Sequence, residues 1–446
     1  MIAVTVDGSL RVDATDLQVD TAIAPANCAA ALAASGLYAD YVVYECEGEW
    51  IFAGGVLGSV ELDTEELRVH WDGEERRTGW TGRPAIALGH ALESLPTATW
   101  NAYGWMGFES CAYSLGAEGH LVPGTPLAHL IVPRAEVRIG ADGVTIRADG
   151  PDERDALWRT VQGAGDVFAT VAEPVDVRRD HSDYRARVAT AIDEICSGRY
   201  EKVILSRTVP VPFLVDMPAT YAWGRANNTP ARSFLLQLGG LQAAGFSPEL
   251  VAAVDRDGEV VTEPLAGTRA FGRGADADDA ARRDLVNDPK EIVEHAVSVR
   301  TSFEEIASVA EPGTSAVSDF MAVRERGSVQ HLASTVRGRL AADSTRWDAL
   351  DALFPSVTAS GIPKRGCVDS IFRLDAEPRG LYSGAVLTVS SDGSLEATLV
   401  LRAVYQQDGR AWLRAGAGVI GQSNPEREFE ETCEKLGSVA PYVVRA

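Results

Sequence analysis

The chain has 446 residues, 46% of them hydrophobic, enough for one large core or two to three ordinary ones. Its 64 acidic residues against 41 basic ones give a formal charge of −23, which argues against nucleic-acid and anionic-membrane partners and would repel a small anion too, unless metal, Arg and Lys reverse the field locally. The six cysteines show no C-x-x-C spacing, the opening Met1 to Asp7 has no export-signal pattern, and no run approaches 18 uncharged apolar residues, so a reduced, cytoplasmic protein is expected.

Residues 1 to about 150 read as a β-rich meander. Tyr41–Tyr44, Trp50–Ala53, Ser59–Leu62 and Val144–Arg147 are short β-branched or aromatic runs between Gly, Asp and Glu turns. The aromatic group Trp100, Tyr103, Trp105 and Phe108 is expected in the core. A polar helix follows from Pro151 to about Gly163, then a Val-, Glu-, Pro- and Asp-rich loop to Arg179 that is the best internal seam. The division expected is a β-rich scaffold over 1–180 and a catalytic portion over 181–446, within a single unit of 1–446.

Ser182 can cap a helix with Tyr184, Val188, Ala191 and Ile195 on one face and Gly198 at its end. The strand after it places Lys202, Ile204, Ser206 and Thr208 on one side and Val203, Leu205 and Arg207 on the other. A lysine opening an apolar strand is ordinary at an exposed edge; buried, its charged form is disfavoured and it becomes a usable base. In Gly245-Phe-Ser-Pro-Glu249, Pro248 holds a bend beside Glu249, which is either a surface turn residue or an acid kept protonated by burial. Gly267 and Thr268 end a strand-to-loop element able to offer backbone and hydroxyl donors to a carboxylate.

Lys290 to Arg300 continues an apolar stripe of Ile292, Ala296, Val299, Phe303 and Ile306, so a core-facing helix is expected, with Glu291 and Glu294 beside the stripe. His331 lies on an alternating strand, Ser328–Arg337; Thr358 on a Pro- and Gly-punctuated loop; Tyr382 and Arg402 on the strands Arg379–Val386 and Ala397–Ala403. Near the end, a strand and a glycine turn lead into a helix for which Asn424 before Pro425 is one N-cap and a Ser423/Glu426 capping box the competing reading. Phe429, Cys433 and Leu436 face the core there, and Glu428, Glu431 and Lys435 share another face. Two E-x-x-E pairs that converged would need a cation between them, and oxygen ligands without His or Cys suit Mg²⁺. Gly416-Ala-Gly-Val-Ile-Gly421 satisfies the dinucleotide-binding glycine pattern, but 25 residues are too few for the rest of that fold. Glycine amides beside a helix N-terminus would still favour an anion, here a carboxylate.

Together, Lys202-Val-Ile-Leu-Ser-Arg207, Gly245-Phe-Ser-Pro-Glu249, Glu263-Pro-Leu-Ala-Gly-Thr-Arg269, Lys290-Glu-Ile-Val-Glu-His-Ala296, Arg324 to Leu332, Arg379-Gly-Leu-Tyr-Ser-Gly384 and Pro425 to Lys435 resemble the chorismate-utilising enzymes. Within them the chain is most similar to the salicylate synthases of mycobactin-type siderophore pathways. The resemblance implies one large α/β unit of the α+β kind, with antiparallel sheets packed on each other and helices outside. It implies Mg²⁺ bound directly by Glu294 and Glu431 and through water by Glu291 and Glu428. Lys202 would be the base that activates water and Glu249 the acid. Arg402, Tyr382 and the Gly416 amide would hold the pyruvyl carboxylate near Lys435, while Gly267, Thr268, His331 and Thr358 line the pocket. The ammonia-adding relatives carry Gln where this chain has Lys202, so no glutaminase subunit is expected, and Ala266 replaces the nucleophilic lysine of the aminodeoxychorismate synthases. Chorismate as substrate, a monomer, and salicylate as product are the resulting expectations. An isochorismate synthase that stops after the first step is the alternative, and a catalytically silent binding or scaffold member the second.

Overall fold

The computed structural model describes residues 3–4, 10–13, 25–141, 143–165, 171–326 and 329–446. Ser328, the first residue of one expected strand, and part of the loop expected over 164–179 lie outside the described residues. Among those described, the strands form two twelve-stranded sheets with antiparallel pairing throughout. The early runs expected as strands are strands, at Tyr41–Cys46, Glu49–Gly54, Gly58–Asp63 and Gly143–Arg147.

Both stretches of the chain contribute to both sheets. Tyr41–Cys46 pairs with Arg232–Leu238 in the first sheet, and Asn101–Met106 pairs with Ala385–Ser390 in the second. The sheets face each other over a core that includes Val42, Tyr44, Phe234, Leu236 and Tyr405 from one and Tyr103, Trp105, Ile131 and Val386 from the other. Helices cover the outer faces. Pro25–Ala34, Pro151–Gly163 and Met217–Ala226 pack on the first sheet, while Pro84–Glu93, Pro289–Ala307 and Arg346–Leu353 pack on the second. The four expected core aromatics Trp100, Tyr103, Trp105 and Phe108 are all buried.

The chain crosses between the sheets at two places that matter below. Leu241–Ser247 lies in the first sheet and Leu250–Val254 in the second, so Pro248 and Glu249 form one crossing. Leu395–Leu399 lies in the second and Ala403–Gln407 in the first, so 400–402 form the other. The crossings touch: Leu399 N donates to Glu249 O, and Phe246 N to Arg402 O.

Several local expectations change. Asp180, rather than Ser182, accepts from the amides of Tyr184 and Arg185 at the head of Tyr184–Cys196; the Ser182 hydroxyl is taken by Arg187. Pro289–Ala307 is a helix, but its buried face runs His295, Ser298, Val299, Ser302 and Ile306, and Phe303 is exposed. Small polar residues can pack closely once hydrogen-bonded, and apolar periodicity overlooks them. Tyr382 lies in the turn before the strand Ala385–Ser390, and Arg402 in the crossing, so neither is on a strand. The glycine-rich run ends the strand Arg410–Ile420 instead of forming a loop, with Gly416 opposite Ser206 and Gly418 opposite Ile204. Asn424 caps the final helix, Pro425–Leu436, accepting from the amides of Glu426 and Arg427, while Ser423 Oγ accepts from Ile420 N.

Candidate active site

Lys202 opens the strand Lys202–Val211, which pairs along its whole length with Arg410–Ile420. It is 6% exposed, and its Nζ donates to Glu294 Oε1 at 2.6 Å. Strand alternation explains the space it occupies. Lys202, Ile204 and Ser206 share a face, and their partners on the neighbouring strand include Gly418 and Gly416. A Cβ on Gly418 would stand 3.1 Å from Lys202 Cε and 3.8 Å from Glu294 Oε1; one on Gly416 would stand 2.6 Å from Leu205 O and 2.9 Å from the Tyr382 hydroxyl. The two glycines thus keep open a strand floor, Gly418 under the amine and Gly416 under the tyrosine hydroxyl.

Glu249, at the first crossing, is 3% exposed. Its Oε1 accepts from Ser356 Oγ at 2.8 Å and from the Thr358 hydroxyl, and these two hydroxyls are 2.7 Å apart. Burial pushes the carboxyl up to about 7, against the opposing pull of those hydrogen bonds and of the Lys202 charge. The acid therefore straddles neutrality, with both hydroxyl donors on one of its oxygens, and the amine lies within its electrostatic reach.

His331 sits in the strand Val329–Arg339, opposite Thr268. Arg402 Nη2 lies 2.8 Å from His331 Nε2. A guanidinium only donates, so Nε2 must accept and the ring proton lies on Nδ1, 3.1 Å from both Gly267 O and Thr268 Oγ1. Burial and then the Arg402 charge push His331 down to about 3, leaving it neutral. Arg402 itself has a left-handed backbone, φ 51°, an uncommon conformation for a residue with a side chain. Lys435 Nζ donates to Glu431 Oε1 and Gly416 O, each at 2.9 Å; burial lowers its affinity for a proton, but Glu431, Tyr382 and Glu294 together raise it above the ordinary value.

The two glutamate-bearing helices converge on this floor. Glu294 of Pro289–Ala307 reaches Lys202, and Lys435 of Pro425–Leu436 reaches the Gly416 carbonyl on the neighbouring strand. Three of the four carboxylates are engaged in ion pairs within the chain. Glu291 meets Arg269 at 3.1 Å, Glu294 meets Lys202, and Glu431 meets Lys435. Among the described residues no three His, Cys, Asp or Glu form a ready-made metal pocket. The donor chemistry nonetheless fits a hard cation. Burial raises Glu291, with Glu294 adding to the rise and Arg269 opposing it; burial raises Glu428, with Glu431 adding and Ser423 opposing. Carboxylates so placed, Glu428 buried and Glu291 half-buried, each repelled by a second one, are what a divalent cation with oxygen preference would stabilise.

Two contributors were not singled out from the sequence. Ser356 is two residues from Thr358 in the same loop, and its spacing was the available signal. Gly418 alternates with Gly416, which pointed to one open strand face once the strand was recognised.

The family described as chorismate binding enzyme matches residues 43–441 of this chain. A salicylate synthase of Mycolicibacterium paratuberculosis is 56% identical over 405 residues, covering 91% of this chain and 90% of the relative. The crystal structure of anthranilate synthase component I from Streptococcus pneumoniae is similar with a TM-score of 0.74 and 26% identity, covering 88% of this chain and 92% of that one. The menaquinone-specific isochorismate synthase of Escherichia coli shares the fold at a TM-score of 0.72 and 19% identity, covering 99% and 94%.

Proposed function

This chain belongs to the chorismate binding enzymes, and from that premise we propose that it is a salicylate synthase, converting chorismate to isochorismate and then to salicylate and pyruvate. The observation that carries the reading is a buried amine, Lys202, within electrostatic reach of a buried acid, Glu249, that is pushed up to about 7. In the first step Lys202, in its neutral amine form, takes a proton from the water that adds at C2. Glu249 gives its proton to the C4 hydroxyl, which leaves as water. Ser356 and Thr358 both donate to Glu249 Oε1, so the transferable proton belongs on Oε2. Glu291, Glu294, Glu428 and Glu431 would hold Mg²⁺, which would supply a positive anchor for the ring carboxylate and engage the Glu294 charge now paired with Lys202.

Arg402 and Tyr382 hold the carboxylate of the enolpyruvyl arm. Loss of pyruvate is then a pericyclic hydrogen shift that needs no acid or base and gains from an arm fixed over the ring. Salicylate made this way suits the assembly of a siderophore, and six free thiols suit the cytoplasm. With lysine in place of the glutamine of the ammonia-adding relatives, the enzyme works as a monomer without a glutaminase.

Purified protein given chorismate and Mg²⁺ should release salicylate and pyruvate in equal amounts. Isochorismate without pyruvate would assign it to the one-step reaction, and no turnover would reduce it to a binding protein. Excess EDTA should stop turnover; an unchanged rate would remove the metal from the mechanism.

A further inference from the structure

The strand Ala316–Arg326 runs antiparallel to Val329–Arg339 with Arg324 opposite His331 and Arg326 opposite Val329. Opposite residues share a face, as do residues two apart, so Arg324, Arg326 and His331 project to the same side. Thr268 joins them as the partner of His331 on its other flank. This is the side from which Arg402 reaches His331.

Arginines gather here, and their partners differ. Arg324 is paired with Asp319 at 3.1 Å and Glu263 at 3.7 Å, and Arg232 of the facing sheet with Glu396 at 2.9 Å and Glu263 at 3.4 Å. Among the described residues neither Arg326 nor Arg402 has a carboxylate at ion-pair distance. Arg326 Nη1 donates to Glu325 O at 3.1 Å, and its Nε is buried with no acceptor. Arg402 donates to a neutral histidine. Two half-satisfied, part-buried guanidiniums near one another repel and remain uncompensated unless an anion joins them. In a chain of formal charge −23 such a pair is also the local reversal of field that an anionic substrate requires.

We propose that Arg326 is a second anion-receiving group of the substrate pocket, acting with Arg402 on the carboxylate of the enolpyruvyl arm; this rests on the salicylate-synthase reading above. One guanidinium fixes a carboxylate at a point, whereas two from different strands fix its direction as well. The buried Nε of Arg326 supplies a donor that no described group of the chain uses.

Steady-state kinetics of Arg326→Gln and Arg326→Lys with chorismate and Mg²⁺ test this. Arg326→Gln should raise KM about tenfold or more while kcat changes far less and Tm stays near wild type, because a charge-assisted bond to substrate is lost while, among the described residues, the chain gives up only the local, exposed Nη1 bond to Glu325 O. Arg326→Lys, which restores the charge without the fork, should recover part of the loss, a rescue that a structural role would not give. A wild-type KM in Arg326→Gln overturns the inference. If Arg326→Gln unfolds, Arg326→Lys carries the test: a KM raised several-fold supports the role and an unchanged one overturns it. A wild-type enzyme that leaves chorismate untouched instead overturns the functional reading, so the two failures are distinct.

Discussion

An acid that must donate near neutral pH has to be kept from ionising early, and Glu249 is kept so chiefly by burial, with the Glu263 charge adding to it. The hydroxyls on its Oε1 and the nearby Lys202 all favour the anion, yet the balance still leaves it at about 7. That displacement from the ordinary 4.5 has a cost that depends on pH. Below 4.5 both folded and unfolded chains carry the proton and the folded state bears no penalty. As pH rises toward 7 the unfolded chain releases the proton while the folded one retains it, so stability falls. Between pH 4.5 and 8 the wild type should lose roughly 3 kcal/mol more than Glu249→Gln, read from urea denaturation at several pH values. The same substitution keeps an acceptor for Ser356 and Thr358 but has no proton to give, so turnover should drop at least about 100-fold. Wild-type activity should decline as pH passes 7. A Gln variant with wild-type isochorismate formation would strip Glu249 of its role.

At the scale of elements, the strand Arg410–Ile420 shows how the site is made room for, and where sequence reading succeeded and failed. Its glycines were recognisable as a cluster, and the helix after them was recognisable from Asn424, Pro425 and the spacing of Phe429, Cys433 and Leu436, which are buried as expected. What could not be read locally was the partner strand. Only the register that sets Gly418 against Ile204 and Gly416 against Ser206 reveals that the missing side chains make space for Lys202 and Tyr382. The face of Pro289–Ala307 was misread for a related reason: His295, Ser298 and Ser302 are buried through contacts with distant strands, such as the 2.7 Å bond of His295 Nε2 to Ser334 Oγ. The strand makes a two-sided prediction. Gly418→Ala places a methyl 3.1 Å from the flexible Lys202 side chain and should cut turnover about tenfold with little change in Tm. Gly416→Ala meets backbone, Leu205 O at 2.6 Å, and should also cost about 1–3 kcal/mol of stability. Full activity in Gly418→Ala would mean that the position of the amine does not limit the reaction.

Over the whole molecule, the division of labour suggested by the sequence, with scaffold before about residue 180 and chemistry after it, describes where the motifs lie but not how the chain is held together. Every expected site residue lies beyond 200, yet the sheets that position them are continuous through the first half. Arg232–Leu238 is hydrogen-bonded on one side to Leu241–Ser247, which leads to Glu249, and on the other to Tyr41–Cys46. Ala385–Ser390 is flanked by Leu395–Leu399, which leads to Arg402, and by Asn101–Met106. Removing residues 1–180 would therefore expose two internal strand edges and the apolar face that Val42, Tyr44, Tyr103 and Trp105 now cover. The 181–446 segment expressed alone should show no cooperative thermal transition and should aggregate, whereas supplying 1–180 as a separate chain should restore a soluble complex with measurable turnover. Cooperative unfolding of the isolated segment, followed by circular dichroism, would show that the chemistry-bearing strands hold their crossings unaided. The site would then owe its geometry to local contacts such as the Glu249–Ser356–Thr358 group, and not to the paired sheets.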